Sequence, residues 1–138
     1  MKALFDTCVV IDVLQRREPF WEDSYHALYA IANRRAEGFL TAKSLTDIYY
    51  LTHRITHDKK KTRKIISDLL VTLDLLDTSA SDCRRALLSD AGDFEDAVMM
   101  ETAVRCGMNL IVTRNVHDYQ VSTVPIYTPQ AFVKQFVL

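Results

Sequence analysis

Brief, almost wholly apolar runs alternate along this chain with longer stretches of helical periodicity, and that alternation constrains its fold more than any other feature. The runs are Ala3–Phe5, Phe39–Thr41, Leu73–Leu76 and Leu110–Val112, with a weaker fifth at Val124–Tyr127. Runs this short, without polar alternation, are what parallel strands covered on both faces require. Asp74, inside the third, is the exception. Between the runs, Trp21, Tyr25, Leu28 and Ala32 share one helical face, and so do Leu45, Ile48, Tyr49, Thr52 and Ile55. Ile65, Ile66, Leu69 and Leu70 make a third stripe, and Phe94, Ala97, Val98 and Val104 a fourth, with Gly107 placed as its C-terminal stop. Pro129 opens a last helix that runs through Phe136. Strand and helix in alternation predict a three-layer α/β/α sandwich around a mainly parallel sheet of four or five strands.

The chain has 138 residues, with only three glycines, three prolines and no Ser/Gly-rich linker, so a single domain over 1–138 is expected. Its longest apolar run, Ala27–Ala32, is far too short to span a bilayer. The N-terminus enters a strand that Asp6 soon interrupts, so no signal peptide is expected. Cys8, Cys83 and Cys106 are odd in number and widely spaced, which excludes a disulfide scaffold or a CxxC knuckle and suits a reducing cytoplasm. The net charge of −1 means that any polyanion must be met by a local patch.

In parallel sheets the functional crevice lies beyond the strand C-termini, and acids accumulate there. Asp6 directly follows the first strand, Asp47 begins the helix after the second, and Asp93 and Asp96 begin the helix before the fourth. Thr113-Arg114-Asn115 ends the fourth strand, and Asp118 comes three residues later. Gathered at one edge, such carboxylates repel one another or take up protons unless a cation joins them. Mg²⁺ or Mn²⁺ accepts carboxylate oxygens while keeping waters, and a pair of such ions serves phosphodiester cleavage. Singly, these acids have plainer readings. Ser44-x-x-Asp47 and Asp93-x-x-Asp96 resemble capping boxes, Asp6 fits an Asx turn, and Asp118 fits a surface loop.

The order of these pieces resembles a PIN domain, the fold of many metal-dependent ribonucleases, including VapC-type toxins. The pieces are Leu4-Phe5-Asp6-Thr7, Ser44-x-x-Asp47, Asp93-x-x-Asp96-Ala97 and Val112-Thr113-Arg114-Asn115-x-x-Asp118-Tyr119, and together they cover essentially the whole chain. The resemblance implies that Asp6, Asp47, Asp96 and Asp118 are the catalytic and metal-binding acids. Asp47 stands where the family usually has Glu, and Asn115 where many members carry Asp. Asp93 resembles an outer acid: a cap, a support for a ligand, or a ligand itself. Thr7 and Thr113 resemble hydroxyls that orient carboxylates or the substrate phosphate, and Asn115 offers a neutral oxygen. The implied activity is Mg²⁺- or Mn²⁺-dependent endonucleolytic hydrolysis of RNA, leaving 5′ phosphate and 3′ hydroxyl. The implied setting is cytoplasmic, with RNA as substrate, an antitoxin protein as partner and a homodimer as assembly.

Other residues carry a functional and a plainer reading side by side. Lys59, Lys60, Lys61, Arg63 and Lys64 form the only dense basic cluster, read as a solvated helix start that could hold RNA phosphates. Arg114 is the better candidate for a phosphate contact. Tyr49, Tyr50, Phe20 and Trp21 could stack bases, although their helical spacing favours core or dimer packing. Asp12 is read as structural or peripheral, and His53 and His57, four apart on one helical face, are not expected to form a Zn²⁺ site. Two rival readings remain: a PIN-like binding module without activity, and a receiver-like signalling domain using Asp77. A receiver needs paired acids after its first strand and a late Lys, and Val124-Pro125-Ile126-Tyr127 has none. A haloacid-dehalogenase-like phosphatase is set aside, because its second Asp would fall at Cys8.

Overall fold

A computed structural model describes residues 1–137. The order is β1 (Lys2–Phe5), α1 (Thr7–Leu14), α2 (Trp21–Ala32), β2 (Glu37–Thr41), α3 (Ala42–Thr56), α4 (Lys59–Thr72), β3 (Asp74–Leu76), α5 (Ala80–Ala86), α6 (Phe94–Arg105), β4 (Leu110–Val112), a 3₁₀ turn (Val116–Tyr119), β5 (Ile126–Tyr127) and α7 (Pro129–Phe136). The sheet has five strands in the order β3-β2-β1-β4-β5, and every pairing is parallel. It is thus wholly parallel, where the sequence suggested mainly so.

Strand residues alternate between two cores, which makes three layers. Ala3, Phe5, Leu110 and Val112 face a core that includes Val9 of α1, Ala27 of α2, Ile48 of α3, Ile66 of α4 and Phe132 of α7. Leu4 and Ile111 face the other side, against Met99, Met100 and Ala103 of α6 and Tyr119 of the 3₁₀ turn. Being central, β1 has neighbours on both edges, and Ala3, Leu4 and Phe5 are fully buried.

Three expectations need correction. The third strand begins at Asp74, not Leu73; it is an edge strand, and Asp74 faces solvent at no cost. The fifth shrinks to Ile126–Tyr127, because the Ser122 hydroxyl bonds the N–H and carbonyl of Val124 and holds that residue in a turn. On α6 the buried stripe is Ala97, Val98, Met99, Met100, Thr102 and Ala103, while Phe94 and Val104 stay exposed.

Local signals explain the helix ends. The Asp58 side chain accepts from the N–H of Lys61, so α4 does start at the basic cluster. Gly107, at φ 69°, ends the turn after α6, a left-handed position that favours glycine. Ser79 and Asp82 form a full capping box on α5. Asp82 also binds Arg105 of α6 through two guanidinium nitrogens, at 2.8 and 2.9 Å. Burial pushes the Asp82 carboxyl up, but Arg105, the Ser79 N–H and the Thr102 hydroxyl outweigh it and hold the group below its usual range.

Candidate active site

The chain runs from β1 outward to β2 and β3, then returns to build β4 and β5 on the other side of β1. The crevice at such a reversal, beyond the strand C-termini, is where parallel sheets bind ligands. Asp6 stands there. It follows β1, and its N–H still donates to the Val112 carbonyl at 2.9 Å, so the neighbouring strand fixes its backbone. Its side chain is 7% exposed. The Thr113 hydroxyl, from the end of β4, donates to Asp6 Oδ2 at 2.7 Å. The Cys8 thiol lies 3.6 Å from the same oxygen. Burial raises the Asp6 pKa, with these hydrogen bonds opposing it. Burial and the Asp6 charge also push the Cys8 thiol up to about 11, which favours the neutral thiol over the reactive thiolate.

Asp96 lies in the first turn of α6. Asp93 is the N-cap, and its Oδ1 accepts from the Asp96 N–H at 3.0 Å. The capping reading of Asp93 therefore stands. No reciprocal bond consumes the Asp96 carboxylate, which instead accepts from the Tyr119 hydroxyl at 3.0 Å. The same hydroxyl lies close enough to Asp6 to lower its pKa. Burial, then the charge of Asp6, then those of Asp93 and Asp118, carry the Asp96 pKa up to about 7 against the Tyr119 bond. The structure thus brings Asp6 and Asp96, ninety residues apart in sequence, within reach of each other's charge.

Asp47 is placed differently from its sequence reading. The cap of α3 is Thr41, whose hydroxyl oxygen accepts from the Ser44 N–H at 3.1 Å, so Asp47 lies in the second turn and caps nothing. Asp6, Thr7, Asp47 and Asp96 line one cleft of about 410 Å³. On its rim, Lys43 binds the Asp47 carboxylate and reaches Glu95 Oε1 at 3.1 Å, joining α3 to α6. Burial opposes the Lys43 charge, but these two acids outweigh it and raise its pKa. Asn115 and Asp118, both exposed, line an adjoining hollow of about 290 Å³ with Asp6, Asp93 and Asp96.

Thr113 is fully buried and acts through Asp6. Arg114, expected at a phosphate, is held elsewhere. Its Nε and Nη2 both donate to Asp12, the second at 3.1 Å, and its guanidinium lies 4.0 Å over the Phe20 ring. Asp12 is fully buried, in keeping with a structural role. His53 stacks on Tyr49, and His57 ends α3 in the left-handed region. The sequence reading gave no role to Tyr119, Lys43 or Glu95. The only sequence signal for them was position, beside Asp118, four residues before Asp47 and beside Asp96.

The donors suit a hard divalent ion: they are carboxylate oxygens, and no Lys or Arg pairs with Asp6 or Asp96 among the described residues. Among those residues no three His, Cys, Asp or Glu side chains converge tightly enough to cage an ion. Asp47, the natural third, is drawn off by Lys43.

Over residues 2–117 the sequence matches the profile of the PIN domain. The chain belongs to the PIN domain family. The five-stranded parallel sheet agrees with that membership, which removes the receiver reading; Asp77 follows the edge strand β3 and is not among the residues that line the cleft of Asp6. Among solved structures, this PIN domain is similar in fold to a toxin–antitoxin complex from Klebsiella pneumoniae, at TM-score 0.67 and 22% identity over 92% of this chain and 97% of that one. It is similar to VapBC2 from Rickettsia felis bound to a promoter DNA fragment, at TM-score 0.69 and 16% identity over 93% and 98%. A third is VapC20 of Mycobacterium tuberculosis, a sarcin–ricin loop cleaving toxin, at TM-score 0.62 and 11% identity over 98% and 96%. Among curated proteins none matches the sequence significantly. No helix of the described residues is long and apolar enough to cross a membrane.

Proposed function

We propose that this PIN domain is a Mg²⁺- or Mn²⁺-dependent endoribonuclease and the toxin of a toxin–antitoxin pair. The observation that carries the reading is Asp6 and Asp96 crowded together without a cationic partner, at the crevice where a parallel sheet binds its ligand. A fold kept in this state stores repulsion that an ion relieves.

Asp6 and Asp96 would hold the ion, with Asp118 and Asn115 on one side and Asp47 on the other once Lys43 releases it. Bound there, the ion would supply activation of a water as nucleophile and Lewis acidity for the departing 3′ oxygen. The protein's share is positioning. Thr113 and Tyr119 each donate to one carboxylate, fixing its rotamer and leaving its remaining oxygen lone pairs to the cleft. Thr7, lining the same cleft, is placed to meet a phosphate oxygen. RNA as substrate, an antitoxin as partner and action in the cytoplasm are part of this proposal, which family membership and the toxin–antitoxin complexes that share the fold support. A homodimer belongs to the same proposal.

The pinning of Asp47 by Lys43 favours a second reading, an RNA- or protein-binding module without catalysis. One assay separates the two. The nuclease cuts RNA with Mn²⁺, stops in EDTA and loses activity on Asp6→Asn. RNA bound but uncut under every divalent ion would establish the module.

A further inference from the structure

The cleft that holds Asp6 and Asp96 has a second wall that ion binding leaves unused. That wall is apolar, with Val98 and Met99 behind and the rings of Tyr50 and Phe94 beside them. Tyr50 comes from α3 and Phe94 opens α6, helices on opposite faces of the sheet, so the rings stand on opposite banks. They are 62% and 49% exposed, an amount of apolar surface that ordinary core packing would have removed from water. Lys43 carries the only positive charge among the lining residues. At about 410 Å³ the space matches pockets that take one small molecule.

We propose that this wall is a base-binding subsite, in which an unpaired nucleobase next to the scissile phosphate lies against Tyr50 and Phe94. The inference rests on the nuclease reading and names the two side chains that would meet the substrate's base. A phosphate drawn to Asp6 and Asp96 through an ion brings its own nucleoside into the same cleft, and the apolar wall is the surface that nucleoside meets. Every base has a π-face, so two aromatic rings accept bases with little regard to sequence. A base still stacked in a duplex cannot enter without being extruded. A nucleotide meets both walls together, its ion-bound phosphate at the acids and its base at the rings. A partner segment with a basic and an apolar side chain is the competing occupant, and the test distinguishes it.

The test separates binding from cutting. Wild-type protein in Ca²⁺, an oxygen-ligated cation that stands in for Mg²⁺ at the acids, is titrated with a short single-stranded RNA carrying one 2-aminopurine, with the same strand made abasic at that position, and with the strand annealed to its complement. The expected result is quenched 2-aminopurine fluorescence and about tenfold tighter binding of the base-containing strand than of either control. Tyr50→Ala and Phe94→Ala, both at exposed positions and checked for native thermal melting, should each erase most of that difference. Equal affinity for the intact and abasic strands, or unchanged base dependence in both variants, overturns the subsite. So does a response to a Phe- or Trp-containing peptide with none to RNA, which would give the cleft to a protein side chain. Base-dependent binding without Mn²⁺-dependent cleavage would keep the subsite and sink the nuclease, and base-independent cleavage would do the reverse.

Discussion

The Tyr119 hydroxyl, on a side chain 1% exposed, donates to Asp96 Oδ1 at 3.0 Å, and so ties the turn after β4 to the first turn of α6. The carboxylate it holds is charged only against the combined resistance of burial and the Asp6 charge. Tyr119→Phe keeps the ring in its core and deletes that donor. Cleavage should fall about tenfold, with the loss in kcat and not in KM, while urea unfolding shows at most about 1 kcal/mol of destabilisation. An unchanged kcat would mean that Asp96 needs no such hold.

The metal-free fold should lose stability as the pH rises. Asp96 has a folded pKa of about 7 against an ordinary value of 3.8, so between these values the native state binds more protons than the unfolded chain. The site's contribution is therefore most favourable below about pH 4 and declines up to about pH 7. Asp6, shifted in the same direction, adds to the slope. Asp96→Asn should flatten this part of the profile and stabilise the metal-free protein at neutral pH by about 1–2 kcal/mol, after allowing for solvent screening. Thermal melts in EDTA across that range provide the check, and a profile identical to wild type would remove the crowding on which the proposed function depends.

Arg114→Ala should be among the most damaging single changes away from the core. It leaves Asp12 fully buried and bound only by the Ser24 hydroxyl, at 3.4 Å. Breaking one side of a buried pair costs about 3–5 kcal/mol. Arg114→Lys should recover only part, because an ammonium cannot reproduce the paired Nε and Nη2 bonds. Urea denaturation measures both variants, and a small effect would return Arg114 to the role of a phosphate contact.

Gly38→Ala tests the packing beneath β2. A methyl group there would meet Leu73 Cδ2 at 2.6 Å and Ile31 Cγ2 at 2.7 Å. Forcing those core side chains aside should cost about 1–3 kcal/mol. A melt unchanged from wild type would show that the region yields freely.

The strands and the acids that follow them were legible because both are local signals: short apolar runs, and charges placed where a buried strand stops. Asp6, Asp93 and Asp96 fall where their neighbours in sequence say they should. Asp47 was misplaced within its helix because Ser44-x-x-Asp47 imitates a capping box, while the true cap, Thr41, was hidden at the end of the strand. The same pattern at Ser79-x-x-Asp82 is a real capping box and went unread. The pairing of Arg114 with Asp12 went unread because the two are 102 residues apart, and nothing near either residue announces it. Tyr50 and Phe94 sit at helical positions compatible with core packing, and only folding shows that they flank a cleft.

The reversal of strand order at β1 also has a bearing on biosynthesis. The first seventy-seven residues supply Asp6 and Asp47 on one side, while Asp96, Asp118 and Tyr119 arrive only with the final third. A nascent polypeptide emerging from the ribosome therefore carries only half of the acidic cleft. If the proposed function holds, the chain would stay harmless to RNA until its final third is made.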